Sequence, residues 1–276
     1  MAGETATKGP FSSLPVRVAT GGLYGATLLG VIYFGGPIGL AVLMILLGAL
    51  AVSELYRITR RERRPAAEFC GFAAVVVMPV VALLWGLSTL PSVMTALVVA
   101  SLIWHVSFVN LRIADTAVVV FGAAYIGFAL SHFVLVRLLE GGMLLALAVL
   151  IGVWAGDVLA YFVGSLIGSH KLAPRVSPNK SWEGFLAGMA GTVGVWLALP
   201  LVIDTTLSVP WRITIGLTLT IAALIGDLFE SRIKREVGVK DSGNLLPGHG
   251  GFLDRIDSLL LVSVVAYYLL VAGGIR

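Results

Sequence analysis

Long apolar stretches, separated by short polar segments, dominate this chain. Each stretch is about as long as an α-helix must be to cross a hydrocarbon core of roughly 30 Å. They lie at residues 16–34, 37–56, 67–87, 92–110, 113–136, 142–166, 183–203, 210–230 and 252–273. The pattern predicts an all-α, polytopic membrane bundle of about nine transmembrane helices, and it excludes a soluble globular core.

The composition agrees with this prediction. Hydrophobic residues make up 58% of the 276 residues and charged residues 12%, with a mean hydropathy of +0.98. The single cysteine, Cys70, cannot form an intrachain disulfide and is interpreted as a packing residue. We expect one membrane domain over residues 1–276, in which residues 1–140 form spans without a clear motif and residues 141–276 form catalytic spans and cytoplasmic loops.

The basic residues predict the orientation of the bundle. The chain has 19 lysines and arginines, and a cytoplasmic N-terminus places all but Arg137, Arg212 and Arg276 on the cytoplasmic side. The positive charge is thus interpreted as a topology signal, and no nucleic-acid partner is expected. The short polar N-terminus resembles a cytoplasmic tail more than a signal or transit peptide, so we expect a multi-pass protein of the bacterial plasma (inner) membrane.

The most ionic part of the chain runs from Asp227 to Ser258, with five basic and six acidic residues between two apolar spans. Ionisable residues at membrane spans are costly and are usually functional. Four polar residues follow one another at helical spacing and line one face at the end of the eighth predicted span: Asp227, Glu230, Ser231 and Lys234. Because lipid is a poor environment for them, we expect this face to line a site.

A second polar group opens the ninth predicted span on the same side of the membrane: Asp254, Arg255, Asp257 and Ser258. Glycines in the connection allow backbone N–H groups to approach an anion, and a helix N-terminus adds partial positive charge. Carboxylates repel phosphate unless a cation lies between them, and Mg²⁺ is commonly held by one or two carboxylates together with substrate phosphates. The mixture of charges indicates a metal-bound polyphosphate, with mutual ion pairing in a topological anchor as the alternative.

A third polar cluster begins inside the sixth predicted span. Asp157 and Tyr161 lie four residues apart on one helix face, and Asp157 is expected to face the bundle interior. The loop that follows carries three cations that could bind anions: Lys171, Arg175 and Lys180. Ser181 is predicted to cap the next helix, with Glu183 in its first turn.

Together these segments resemble the signature of the phosphatidate cytidylyltransferases, also called CDP-diacylglycerol synthases. The fixed positions of that signature are all present: Ser231, Lys234, Arg235, Lys240, Asp241, His249, Gly250, Gly251, Asp254, Arg255 and Asp257. The stretch SPNKSWEG, from Ser177 to Gly184, is similar to the family's second characteristic segment. The resemblance covers roughly residues 150–276 by motif and the whole chain by hydropathy.

The resemblance implies that CTP and phosphatidate react to give CDP-diacylglycerol and pyrophosphate, with Mg²⁺ required. By motif position it implies Asp227 and Asp254 as metal ligands, with Asp157 and Asp257 as nearby candidates. It also implies K⁺ beside Mg²⁺, and a homodimer. The candidates for catalysis are Asp227, Asp254, Lys234, Lys240, Asp241, His249, Arg255 and Asp257. The candidates for substrate binding are Ser231, Arg235, Gly250, Gly251, Ser177, Lys180, Asp157 and Tyr161.

Two other classes of function stay open from the residues alone. A transporter or channel would also have carboxylates such as Asp157 inside its spans, but its polar residues usually gather near the membrane midplane. Here most of them gather at one face, which favours an enzyme working at the membrane surface. A related CTP-using membrane enzyme, such as a lipid-alcohol kinase or an archaeal-type lipid cytidylyltransferase, is the third candidate, and the long signature favours the phosphatidate enzyme.

Overall fold

The computed structural model describes residues 14–59, 65–246 and 250–276. Within these residues the helices are α1 (Leu14–Phe34), α2 (Gly36–Thr59), α3 (Pro65–Trp85), α4 (Leu90–Ser107), α5 (Ile113–Gly122), α6 (Ala129–Leu138), α7 (Gly142–Ile167), α8 (Trp182–Ala198), α9 (Val209–Glu236) and α10 (Leu253–Ala272). A π-helical turn, Ala123–Phe128, joins α5 and α6 into one continuous rod. Short 3₁₀ turns at Leu87–Thr89 and Leu199–Leu201 precede α4 and follow α8.

In the part of the chain that the structure describes, eight helical segments are long and apolar enough to cross a membrane. They are α2, α3, α4, the rod from α5 to α6, and each helix from α7 to α10. With α1 before them, the predicted bundle of about nine spans is confirmed. The helix α9 continues to Glu236, six residues beyond the predicted apolar span, and so includes the predicted polar face from Asp227 to Lys234. The side of the membrane on which each terminus lies stays a prediction.

The helix α6 forms the centre of the bundle. Its residues from Ala129 to Val136 are all buried, and it packs against α2, α3, α7 and α10. Large apolar side chains such as Phe34, Leu46 and Phe162 are instead exposed on the outside of the bundle. Such exposure suits contact with lipid chains, which are as apolar as the side chains themselves.

A short antiparallel hairpin interrupts the otherwise helical chain between α7 and α8. It consists of β1 (Lys171–Ala173) and β2 (Ser177–Ser181), where the sequence predicts only a loop. Ser181 ends β2 and caps α8, because its hydroxyl accepts a hydrogen bond of 3.2 Å from the backbone N–H of Gly184. Glu183 lies in the first turn of α8, so the predicted cap is confirmed and the hairpin is fixed directly to the start of α8.

Glycines allow α7 and α8 to cross very closely. A Cβ atom added at Gly184 would lie 3.1 Å from the Cα of Gly164, and one added at Gly188 would lie 2.7 Å from the carbonyl oxygen of Gly156. The Cβ at Gly184 would also lie 2.6 Å from the carbonyl oxygen of Ala160. Real Cβ atoms essentially never come within 3.0 Å of a backbone atom, so both positions require a residue without a side chain. This crossing positions the end of α7 against the hairpin and α8.

We expect Gly188→Ala to destabilise the protein by roughly 1–3 kcal/mol, because the added methyl group meets backbone of α7 that cannot rotate away. Gly194 lies on the same helix, and a Cβ there would meet nothing within 4 Å. Gly194→Ala is therefore the matched control, expected to be neutral or slightly stabilising. Unfolding by SDS in detergent micelles measures both variants, and equal midpoints for the two would contradict the close crossing.

Candidate active site

A cavity of about 310 Å³ lies between α7, α8, α9 and the hairpin. Its polar lining residues are Asp157, Tyr161, Asn179, Lys180, Ser181, Thr220, Asp227 and Ser258. Glycines of the α7–α8 crossing, Gly156, Gly184 and Gly188, form part of the remaining wall. The fold thus brings together three segments that the sequence singled out separately: the sixth span, the SPNKSWEG stretch and the polar end of the eighth span.

Two of the predicted site residues, Lys180 and Asp227, form an ion pair in this cavity. Their side chains are 26% and 31% exposed, so both remain accessible to a ligand. One helical turn further along α9, the hydroxyl of Ser231 donates a hydrogen bond of 3.2 Å to Asp227 Oδ1. A ligand that combines phosphate with a metal ion could separate the pair, since phosphate would bind the ammonium group and the metal would bind the carboxylate.

Two further aspartates lie near Asp227. Asp157 lines the same cavity from α7, and Asp257 on the first turns of α10 interacts electrostatically with both Asp227 and Asp157. Lys180 and Arg255 supply opposing positive charge at Asp157. Three carboxylates and two basic side chains thus lie close together at this end of the bundle.

Within residues 14–59, 65–246 and 250–276, no group of three or more histidine, cysteine, aspartate and glutamate side chains is arranged to hold a metal ion by itself. Mg²⁺ does not require such a group, because it usually keeps waters and takes one or two carboxylates plus phosphate oxygens. The carboxylates of Asp157 and Asp227 face the cavity and offer only oxygen ligands. This donor set fits a Mg²⁺ ion that arrives with a polyphosphate.

A second polar cluster lies beside the cavity, where α9 meets α10. Lys234 forms ion pairs with Glu230, one turn earlier on α9, and with Asp254 on α10, at 2.5 Å from its Oδ1. The three side chains are only 11%, 1% and 4% exposed. Lys234 is a predicted catalytic residue, but in this structure it joins two helices and does not line the cavity.

Both carboxylate oxygens of Asp254 already have partners. Oδ1 accepts from Lys234, while Oδ2 accepts from the backbone N–H and hydroxyl of Ser242, each at 2.9 Å, and from the backbone N–H of Gly251 at 2.8 Å. The Asp254 side chain is only 4% exposed, so little of this carboxylate is open to a metal ion. Asp227 accepts from Ser231 and pairs with Lys180, but its side chain is 31% exposed, so the two predicted metal ligands differ in how open they are to a ligand.

The other predicted residues lie around these two clusters. Four of them are exposed: Arg235, Lys240, Asp241 and Arg255. Arg235 donates a hydrogen bond of 3.1 Å to the carbonyl of Val239 in the turn after α9. Gly250 has a φ angle of +80°, a backbone conformation that favours glycine. His249 lies outside the residues that the structure describes.

Two predicted substrate-binding residues of the α7–α8 region have different positions. Tyr161 lines the cavity and is 72% exposed, which places it at the cavity's outer edge. Ser177 pairs with Ala173 at the far end of the hairpin and is not part of the cavity lining. The structure therefore brings Tyr161, but not Ser177, to the candidate site.

The sequence did not predict three residues that support the second cluster: Glu54, Arg57 and Ser242. Glu54 on α2 is 1% exposed, and its Oε2 accepts hydrogen bonds from the backbone N–H of Leu253 and the hydroxyl of Ser242. Arg57 donates to the carbonyl of Ser242 at 2.9 Å. The available signal was the position of the Glu54 carboxylate within the second apolar span, because a charge there needs a structural or functional reason.

The chain is similar to one protein family and to several curated proteins. A family model described as "Cytidylyltransferase family" matches residues 15–272. A curated protein called phosphatidate cytidylyltransferase from Mycobacterium leprae is 40% identical over 158 residues, which cover 56% of this chain and 50% of that protein. Proteins of the same name from Bacillus subtilis and Staphylococcus aureus (strain COL) are 39% and 41% identical over 157 residues, which cover 56% and 57% of this chain.

The matched region is only part of these relatives. It covers 58% of the Bacillus protein and 60% of the Staphylococcus protein, so the chain spans between half and three fifths of the curated relatives' length. The family match is broader, since it begins in α1 and ends in α10. The candidate site and the helices that support it all lie inside the family match.

Proposed function

The chain belongs to the cytidylyltransferase family, and from this premise we propose that it transfers cytidylate from CTP to phosphatidate, giving CDP-diacylglycerol and pyrophosphate. The names of the matched relatives supply the two substrates. One geometric observation supports the proposal most: Lys180 and Asp227 pair in a cavity that Asp157 also lines. A metal-bound triphosphate could bind both partners of this pair, with a phosphate on the ammonium group of Lys180 and the metal ion on the carboxylate of Asp227.

The position of the cavity suits one water-soluble substrate and one lipid substrate. Its lining extends from Gly156 and Thr220, inside the spans α7 and α9, to the hairpin after α7, so it connects the interior of the bundle with polar segments that we expect at the membrane surface. CTP can approach from water, while phosphatidate presents its phosphate at the same level from the bilayer. In the predicted orientation this surface is cytoplasmic, and the similarity to bacterial proteins supports the plasma membrane.

In the proposed reaction, a phosphate oxygen of phosphatidate attacks the α-phosphorus of CTP. A new P–O bond forms, the bond between the α- and β-phosphates breaks, and pyrophosphate leaves with the electron pair. Because the attacking phosphate is already an anion near neutral pH, no strong general base is needed. Lys180 would bind a phosphate after leaving Asp227, and the exposed Lys240 and Arg255 would add positive charge around the leaving group.

Asp227 is the residue we propose to hold Mg²⁺, with Asp157 and Asp257 as nearby candidates. When bound, the ion would neutralise charge that develops on the phosphates. Asp254 stays a predicted ligand, and its side chain is only 4% exposed. A K⁺ ion beside Mg²⁺ and a homodimer also stay predictions, which rest on the resemblance of the sequence.

Two forms of labelled CTP separate the proposed reaction from its closest alternative. The purified protein in detergent micelles is given Mg²⁺, phosphatidate and CTP labelled at either the α- or the γ-phosphate. Cytidylate transfer moves only the α-label into lipid and releases pyrophosphate in equal amount, and EDTA stops it. A lipid-alcohol kinase would move only the γ-label, and then only into an added lipid alcohol. No label in lipid, with solute flux in liposomes, would instead support a transporter.

We expect Lys180→Met to raise the KM for CTP by about 10- to 100-fold, because one charge-assisted hydrogen bond contributes roughly 1.5–3 kcal/mol. Lys180→Arg is the matched variant, since it preserves the charge and the ability to donate to phosphate. It should keep a KM within a few-fold of the wild-type value. Steady-state rates over a range of CTP concentrations give both values, and an unchanged KM in Lys180→Met would make Lys180 only a partner of Asp227.

A further inference from the structure

We propose that Glu54, in the N-terminal half of the chain, is a positioning residue for the candidate active site. It holds the loop between α9 and α10, which the structure describes at residues 237–246 and 250–252, and the first turn of α10. Through these segments it holds the carboxylate of Asp254. This inference deepens the proposed function and rests on it for the catalytic consequence. The structural part of the inference, which concerns the loop itself, does not need the reaction to be known.

The contacts of Glu54 join distant parts of the chain. Its Oε2 accepts a hydrogen bond of 2.9 Å from the backbone N–H of Leu253, the first residue of α10, and one of 3.0 Å from the hydroxyl of Ser242. The N–H groups in the first turn of a helix have no partner within that helix. Glu54 supplies such a partner from α2, and its negative charge also suits the positive end of the helix.

Ser242 connects Glu54 to Asp254. Its hydroxyl lies 3.0 Å from Glu54 Oε2 and 2.9 Å from Asp254 Oδ2, and its single proton can be donated to only one of these oxygens at a time. The backbone N–H of Ser242 donates to Asp254 in addition. Arg57, one turn after Glu54, donates to the carbonyl of Ser242, so α2 contacts this residue through two side chains.

The Glu54 carboxylate fits against the loop only because two neighbouring residues are glycines without side chains. A Cβ added at Gly251 would overlap Glu54 Oε2 and the hydroxyl of Ser242, and one added at Gly243 would overlap Glu54 Oε1. The loop is therefore folded closely around this carboxylate from both of its ends. That fit, together with the hydrogen bonds, indicates that the position of the loop depends on Glu54 specifically.

The consequence for the site follows from the position of Asp254. Without Glu54, the N–H of Leu253 and the hydroxyl of Ser242 lose a buried acceptor, and the start of α10 is free to shift. Asp254 is the next residue after Leu253, and Arg255 and Asp257 follow on the same turns. Transfer reactions are sensitive to displacements of about 1 Å in positioned groups, so a shift there should reduce turnover.

Hydrogen exchange in the purified full-length protein tests the structural part without any substrate. The variants are Glu54→Ala and Glu54→Gln, with Glu236→Gln as the control, because Glu236 lies on α9 with a side chain 63% exposed. In Glu54→Ala we expect the backbone N–H groups of Ser242, Gly251 and Leu253 to exchange at least tenfold faster. Glu54→Gln keeps an acceptor oxygen and should stay within threefold of the wild type.

A purely structural role would give a different pattern. If Glu54→Ala accelerated exchange equally in α7 and α8, or left the loop unchanged, the positioning role would be contradicted. Should Glu54→Ala not fold, Ser242→Ala provides the same test, because it removes the hydroxyl that links Glu54 to Asp254 and keeps the bond from Glu54 to Leu253. It should accelerate exchange at Gly251 at least threefold, and an unchanged rate there would contradict the proposal.

Activity then tests the catalytic part. We expect Glu54→Ala to lower the kcat for cytidylate transfer at least tenfold, Glu54→Gln to restore most of it, and Glu236→Gln to match the wild type. A wild-type kcat in Glu54→Ala would contradict the positioning role. An inactive wild-type protein would contradict the proposed function, and the exchange pattern would still decide whether Glu54 holds the loop.

Discussion

Asp227→Asn should lower the rate of cytidylate transfer at least a hundredfold, the largest effect on activity that we expect of any single substitution. The carboxylate of Asp227 lies in the cavity, where it pairs with Lys180 and accepts from Ser231. Asparagine has nearly the same shape and can still accept from Ser231, but it lacks the charge that would hold Mg²⁺. Removing one group that stabilises developing charge commonly reduces kcat by about 10²–10³.

The same substitution at Asp204 is the matched control. Asp204 is an exposed aspartate in the segment before α9, at the opposite end of that helix from Asp227. Transfer of α-labelled cytidylate to phosphatidate is measured for both variants at saturating CTP and increasing Mg²⁺. We expect Asp204→Asn to match the wild type. If Asp227→Asn reached even a tenth of the wild-type rate, Asp227 could not be the main metal ligand.

Lys234→Met should have the largest effect on stability. The lysine is shared by Glu230 and Asp254, whose side chains are 1% and 4% exposed. Methionine preserves the volume but leaves two buried carboxylates without their common cation. Breaking a buried ion pair by removing one partner typically costs about 3–5 kcal/mol, so we expect this variant to unfold at a much lower SDS fraction than the wild type.

Arg232→Met provides the comparison on the same helix. Arg232 pairs with Glu236 at 3.1 Å, but the two side chains are 64% and 63% exposed. Exposed pairs of this kind contribute only about 0–1 kcal/mol, so the unfolding midpoint should hardly move. Equal midpoints for Lys234→Met and Arg232→Met would contradict the view that the buried cluster holds α9 to α10.

Much of the fold could be predicted from the sequence because the bilayer restricts which backbone conformations can cross it. A stretch of about twenty apolar residues must be helical to satisfy its backbone in lipid. The positions of the spans are correct to within a few residues, except at the end of α9, which is six residues longer than predicted. Local polar features were also predictable. The face of α9 that begins at Asp227 and the cap formed by Ser181 both follow from helical geometry and short-range hydrogen bonding.

Contacts between distant segments could not be predicted in this way. Glu54 and Leu253 are separated by 199 positions, and periodicity within either helix does not indicate that they meet. The division into a motif-free N-terminal half and a catalytic C-terminal half therefore overlooked the support that α2 gives to the loop at Ser242. The hairpin from residue 171 to 181 was also missed, because its strands are too short for a clear alternating pattern.

The two carboxylates predicted to bind metal illustrate the same limit. Spacing places Asp227 and Asp254 at neighbouring helix ends, and on that basis they are equivalent. Their surroundings differ, because Asp254 accepts from Lys234, Ser242 and Gly251 while Asp227 faces the cavity. Which carboxylate is available to a ligand depends on the folded loop, and a single sequence contains no direct signal for that.

A structure of the protein with Mg²⁺ and a CTP analogue that cannot be cleaved between its α- and β-phosphates would test the proposed site most directly. We expect the triphosphate in the cavity between α7, α8 and α9, with Lys180 turned from Asp227 to a phosphate. A metal ion should lie at about 2.0–2.1 Å from an Asp227 oxygen. A triphosphate bound outside this cavity, with Lys180 and Asp227 still paired, would contradict the proposed site.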